Sequence, residues 1–263
     1  MRLNTMIKPY QQFESNLRQL QQHVQLLDLS LKATQKMCSK KNNILPGKKI
    51  AEIMGANTET HIQLNIPNTR FHINRVYAYS RFKLNEQAMI DLYRIFADFM
   101  SGILASLSNK EPNKLLSILA ELGTRSIDYS RVVKLKTYNA ILKEMASTVF
   151  RGLEAHKNTK ALLKKIISLT KLNISQELQN DALLYLEIRH LIIHNKGRTD
   201  EKFLAYPGAA SIPQTNGKIK MTFDLVLAAT EKVSALCKAI NEELIRKGIL
   251  DSVHSATCNS LQQ

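Results

Sequence analysis

Residues 175–196, SQELQNDALLYLEIRHLIIHNK, constrain the fold more than any other stretch of the chain. Wound as an α-helix at about 100° per residue, Leu184, Ile188, Leu191 and Ile192 form one apolar sector, and Ala182, Leu186 and Ile193 form a second. A helix on the outside of a bundle needs one apolar stripe, so a helix with two must lie between neighbours. Ser175 suits the N-cap and Gly197 the residue just past the C-terminus. The expectation is a central helix surrounded by others.

The remaining sequence supplies the neighbours. Phe13, Leu17, Leu20, Val24, Leu27 and Leu31 recur at steps of three and four, predicting a long N-terminal helix. Pro46, Gly47 and Pro67 interrupt the next region, which reads as a connector with short strands near HIQLNI and RFHINRVYAY. A helix is expected over 83–107 with Asn85 as its cap, and another at EPNKLLSILAELG, where Pro112 and Gly123 bracket the ends. Two more are expected at 131–153 and 158–172. The double lysine in the second reads as a solvated face. After a polar loop, Gly217 suits a turn before a short extended piece and a long closing helix. The fold class is therefore all-α: residues 1–80 an N-terminal helix and irregular connector, 81–250 a helical bundle, 251–263 a flexible tail. Nine Gly, six Pro and no Trp among 263 residues argue against an all-β fold.

Three cysteines, Cys38, Cys237 and Cys258, lie far apart without CxxC spacing, which argues against a disulfide framework or zinc ribbon and fits a reducing compartment. The first twenty residues lack the apolar core of a secretory signal, and no run of about 18 apolar residues occurs. A soluble, cytoplasmic protein without a membrane partner is expected. The formal net charge is +15 and favours a polyanion, most simply nucleic acid. The excess is uneven: +8 over residues 1–90, +6 over 91–180 and only +1 over 181–263.

Glu187, His190 and His194 share one stripe of the helix 175–196, at i, i+3 and i+7, between the two apolar sectors. Polar residues and cations at a helix C-terminus have an ordinary explanation in the helix dipole. A cluster of ionisable groups among Leu and Ile asks for more, because their burial costs several kcal/mol unless they are paired or used. His190 and His194 have the i, i+4 spacing of two zinc ligands with Glu187 as a third. The order is not HExxH, no cysteine is near, and no further cluster offers a fourth ligand or a base, so no metal and no cofactor is assigned.

The run RHLIIH, continuing as HNKGRTDEKFL, matches an arginine, a polar residue, three variable residues and a histidine, and so resembles the motif of HEPN domains, all-helical nucleotide- and RNA-binding domains of prokaryotic toxins and defence proteins. The resemblance covers residues 81–250 by helix order and rests in sequence on residues 187–204. Residues 1–80 match nothing in the family.

The resemblance implies a metal-independent endoribonuclease, a toxin or antiphage effector. His194 would be the acid/base group, Arg189 would stabilise charge on the phosphorane, and His190 would occupy the polar position, where many active members carry Asn or Asp. Such chemistry is self-consistent: the ribose 2′-OH is an internal nucleophile, so the site needs a proton acceptor, a proton donor and a cation, and histidine titrates near neutrality. Lys196, Arg198 and Asn195 are the candidate substrate contacts, with Glu187 in support. Arg189 lies about 140° from His194 on an ideal helix, which points to a distorted last turn or to a homodimer that sets two motifs face to face, as in many members of the family. An antitoxin or defence-system partner is the other expected associate. The alternative is a non-catalytic module of the same fold that binds RNA, nucleotide or a protein.

Overall fold

The computed structural model describes residues 5–38, 70–110, 113, 133–156 and 159–254. They are mostly helical, as expected. Helix α1 (Lys8–Cys38) lies along α2 (Arg70–Lys110), and α3 (Tyr138–His156), α4 (Thr159–Thr170), α5 (Gln176–Asn195), the single-turn α6 (Glu201–Leu204) and α7 (Phe223–Arg246) come after them in order. The described residues also hold a 3-10 turn at Ala209–Ser211 and four two-residue strands: β1 (Thr5–Met6) pairs antiparallel with β4 (Val253–His254), and β2 (Gln214–Thr215) with β3 (Lys218–Ile219).

Helix α5 packs between α7 and α2 and touches α4, as its two apolar sectors require. Leu184, Ile188 and Leu191 are buried on one side, Ala182 and Leu186 on the other. Ile193 departs from the expectation: at 44 % exposure it stands clear of the core where the helix emerges. The start is as expected, with the Ser175 hydroxyl accepting from the Leu178 amide at 3.3 Å. The left-handed stop comes one residue earlier than Gly197, on Lys196 at φ 53°, with Gly197 next at φ 75°.

Several expectations need correction. Residues 70–79 are helix, not strand: Ile73 and Tyr77, one turn apart, are buried, which is helical and not alternating burial. The boundary expected near residue 80 therefore falls inside α2, and the α1 residues Phe13, Leu17, Leu20 and Val24 join the same core cluster as α5 and α7. Asn85 is no cap; it lies mid-helix, buried, donating to the Met221 carbonyl at 3.2 Å. The helix expected over 131–153 breaks at Lys136 (φ 57°), and the Thr137 hydroxyl then accepts from the Ala140 amide at 3.2 Å to start α3 afresh. The tail begins later than residue 251, because Val253 and His254 pair with the N-terminal strand. The expected strand at HIQLNI and nearly all of the helix at EPNKLLSILAELG lie outside the described residues.

On α1 the buried stripe runs to Val24 and then reaches Asp28, while Leu27 is exposed. Asp28 is 2 % exposed and accepts from Lys32 at 2.6 Å and Arg81 at 2.8 Å, joining the far halves of α1 and α2. Burial alone would raise its carboxyl, but the hydrogen bonds and charges of Lys32 and Arg81 outweigh burial and hold it below the usual carboxylate range. That stabilisation is complete above the unfolded-state value near 4 and is lost as pH falls through the lower folded-state value. Asp28→Asn should cost about 1–3 kcal/mol at neutral pH. Its thermal midpoint should fall less than that of the wild type on acidification below about pH 4.5. Parallel midpoint profiles for the two proteins would contradict this account of Asp28.

Candidate functional site

Helix α5 is enclosed through its middle, and apart from Glu177 and Asp181 near its start its charged groups lie toward the C-terminal end. Glu187 is buried, Arg189 and His190 are half-buried, and His194 is exposed. The imidazoles of His190 and His194 lie on one face with ring centroids 4.6 Å apart and planes tilted by 43°. Neither makes another hydrogen bond or ion pair among the described residues, so both have nitrogens free for a substrate.

Arg189 faces a different neighbour. Its guanidinium carbon sits 4.6 Å from the centre of the Tyr93 ring on α2, a cation–π contact against a side chain that is only 7 % exposed. The motif's two ends thus face different ways, Arg189 onto Tyr93 of α2 and His194 beside His190 of its own helix, as the angular separation on one helix requires. Tyr93 was legible in the sequence only as an apolar position of α2; its distance from the motif, nearly a hundred residues, hid the pairing.

Glu187 leaves the stripe it shares with the histidines and turns to Lys202 on α6, at 3.3 Å. The neighbouring Tyr206 phenol is pushed up to about 12, first by burial and then by the Glu187 charge. Lys160 from α4 lies 5.7 Å from the centre of the same tyrosine ring. Glu187 therefore anchors the segment after α5 and does not face the histidine pair's open side.

That segment forms a cap on the end of α5. The Gly197 amide donates to the Leu191 carbonyl at 2.8 Å, the six-residue bond that closes a helix after a left-handed residue. The Asn195 amide donates to Asp200 at 2.8 Å, and the other Asp200 oxygen caps α6 through the Phe203 amide. Asn195 thus organises the turn, leaving its side-chain oxygen as the group a ligand can meet. Asn216 and Gly217, both at positive φ, close the β2–β3 hairpin, as an Asn-Gly pair favours. The hairpin joins the cap through Thr199 donating to Gly217 and Ile219 donating to Gly197, each at 3.0 Å.

The pairing of Arg198 with Lys218 brings two cations from distant positions to one edge. Lys196, Arg198, Lys218 and Lys220 are all exposed there. This is more positive than the +1 of residues 181–263 suggested, because four of the acidic residues of that third, Asp224, Glu231, Glu242 and Glu243, lie on α7.

No family model, curated protein or solved structure matches the chain. The functional reading therefore rests on the geometry of the site. Among the described residues no three His, Cys, Asp or Glu side chains are grouped to hold a metal. No helix among them is long and apolar enough to cross a membrane.

Lys196 carries the left-handed conformation that glycine adopts without strain. Lys196→Gly should raise stability by about 0.4–1 kcal/mol. Gly197→Ala has room for the added methyl but not the backbone angle, and should lower stability by about 1 kcal/mol. Chemical denaturation of both variants checks this; changes of the opposite sign in both would place the helix stop elsewhere.

Proposed function

We propose that this chain is a metal-independent endoribonuclease of the HEPN type, acting as a toxin or antiphage effector in the cytoplasm. The observation that carries the reading is the contact between His190 and His194 at the open end of an otherwise buried helix, beside an exposed basic edge. Two imidazoles in one place can supply a proton acceptor and a proton donor; the basic edge supplies cations for the flanking phosphates.

In the proposed reaction His194 takes the proton of a ribose 2′-OH as the 2′-oxygen attacks the adjacent phosphorus. The bond from phosphorus to the 5′-oxygen breaks, and a protonated imidazole returns a proton to that oxygen. The products are a 2′,3′-cyclic phosphate and a 5′-hydroxyl, with no external water or metal in the step. His190 orients His194 or acts as the second proton carrier. Arg189 neutralises the non-bridging oxygens. It does so either by leaving the Tyr93 ring or from a second copy in a homodimer, for which the exposed Ile193 beside His194 is an apolar contact. Lys196, Arg198 and the Asn195 oxygen contact the substrate backbone.

A single-stranded or loop RNA should be cut in the presence of EDTA, leaving those termini. His194→Ala and Arg189→Ala should each slow cleavage by about 10²-fold or more. His190→Asn should retain far more activity than His190→Leu. Each variant should unfold at the wild-type temperature for the comparison to count. Loss of cleavage in EDTA with recovery on adding zinc would replace the mechanism with a metal-dependent one.

The same fold without cleavage is favoured by one observation, the engagement of Arg189 by Tyr93 within its own chain. RNA binding that weakens steeply with salt, with no cleavage by the dimeric wild type, would select that non-catalytic reading.

A further inference from the structure

The first turns of α2 have two unlike sides, and none of the site residues assigned above lies on them. Toward α1 the helix is fully engaged: Ile73 and Tyr77 are buried, Asn74 accepts from Gln35 at 3.1 Å, and Arg81 donates to Asp28 at 2.8 Å. The opposite side is open. Phe71, Arg75, Tyr79 and Phe82 follow one another there at i, i+4, i+8 and i+11, with Val76 and Lys83 beside them, inside an arc of about 140° on an ideal helix. All six are exposed, Phe71 at 71 % and Tyr79 at 62 %.

Three aromatic rings and a valine gathered on one exposed face mark a surface that something covers. Its charge narrows what that is. Residues 70–85 contain four cations and no acid. Arg81 is turned inward to Asp28, but Arg75 stands in the middle of the ring stripe, and the Lys83 ammonium lies 5.7 Å from the centre of the Phe82 ring and 5.9 Å from that of Tyr79. A second copy of this face would set cation against cation, with only Glu86, already paired with Lys83, to offset them. A protein groove deep enough to cover the rings would bury Arg75 with them and would have to supply a carboxylate at that one point. A lipid interface needs neither, because a long cationic side chain runs up beside the rings and leaves its charge among the phosphates.

We propose that this face of α2 docks on an anionic lipid surface. The rings of Phe71, Tyr79 and Phe82 enter the boundary between headgroups and acyl chains, the place aromatic side chains with a polar tip or a cationic neighbour favour. Arg75 and Lys83 meet the lipid phosphates. The contact is peripheral: no helix among the described residues is long and apolar enough to cross a membrane. It replaces the expectation of no membrane partner and does not depend on RNA cleavage.

The chain has no tryptophan, so Phe71→Trp gives it a single reporter. Its emission should move to the blue, and be quenched by brominated acyl chains, on adding phosphatidylcholine vesicles that contain phosphatidylserine, but not with phosphatidylcholine alone. Tyr138→Trp, at an exposed position where α3 starts, should not respond. In flotation with the same anionic vesicles, Tyr79→Ser/Phe82→Ser should weaken binding by about tenfold or more. Lys164→Gln/Lys238→Gln, which removes two exposed cations elsewhere, should weaken it less. Thermal unfolding at the wild-type temperature shows that each variant is folded. Flotation with no response from Phe71→Trp would put the contact on another face, and equal weakening by the two double variants would reduce it to net charge. A response to single-stranded RNA or polyglutamate with none to vesicles would give the face to another partner. Each of these overturns the proposal, as does the absence of flotation with anionic vesicles.

Discussion

The enclosure of α5 decides where this protein can place ionisable groups. Residues 182–188 in the middle of α5 are almost wholly shut off from solvent, so a charge there must be paired or excluded. Glu187 is paired, with Lys202; Arg189 is laid on an aromatic ring; only at the last turn do His190 and His194 reach open surface. The same packing against α7 and α2 that fills the core therefore also leaves the two imidazoles at one open end.

The chain beyond α5 is organised around that end. The left-handed residues Lys196 and Gly197 turn the backbone, Asn195 and Asp200 fix the turn, and the hairpin returns to bond the same stretch. The Glu187–Lys202 pair ties the cap to the buried part of the helix. The histidines are in this way flanked by a rigid basic edge whose backbone bonds, and not only its side chains, set the spacing of the cations. Preorganised charge of this kind is what a phosphate-transfer site requires.

Sequence pattern located α5, its N-cap and its closing partner α7 because each repeats apolar residues at helical spacing and is bracketed by cap or turn residues. It found α2 over residues 83–107 and failed over its first ten residues, where Phe71, Ile73, Tyr77 and Tyr79 look alternating in a short window. Only the contact with α1 selects Ile73 and Tyr77 as the buried pair. It also missed Asp28, an acid at a core position made tolerable by Arg81 from another helix. The histidine pair was legible from i, i+4 spacing alone. The partners that hold the rest of the site, Tyr93, Lys202 and Lys218, are set by tertiary packing and leave no local signal.

The central claim is that the two imidazoles at the end of α5 meet the RNA. Heteronuclear NMR of histidine-labelled protein, titrated with a 2′-O-methyl oligonucleotide that binds but cannot be cut, reads this directly. The ring resonances of His190 and His194 should shift together and saturate with the bound fraction, while those of His23, exposed on α1, should stay in place. Saturable binding that leaves both α5 imidazoles unmoved would contradict the account.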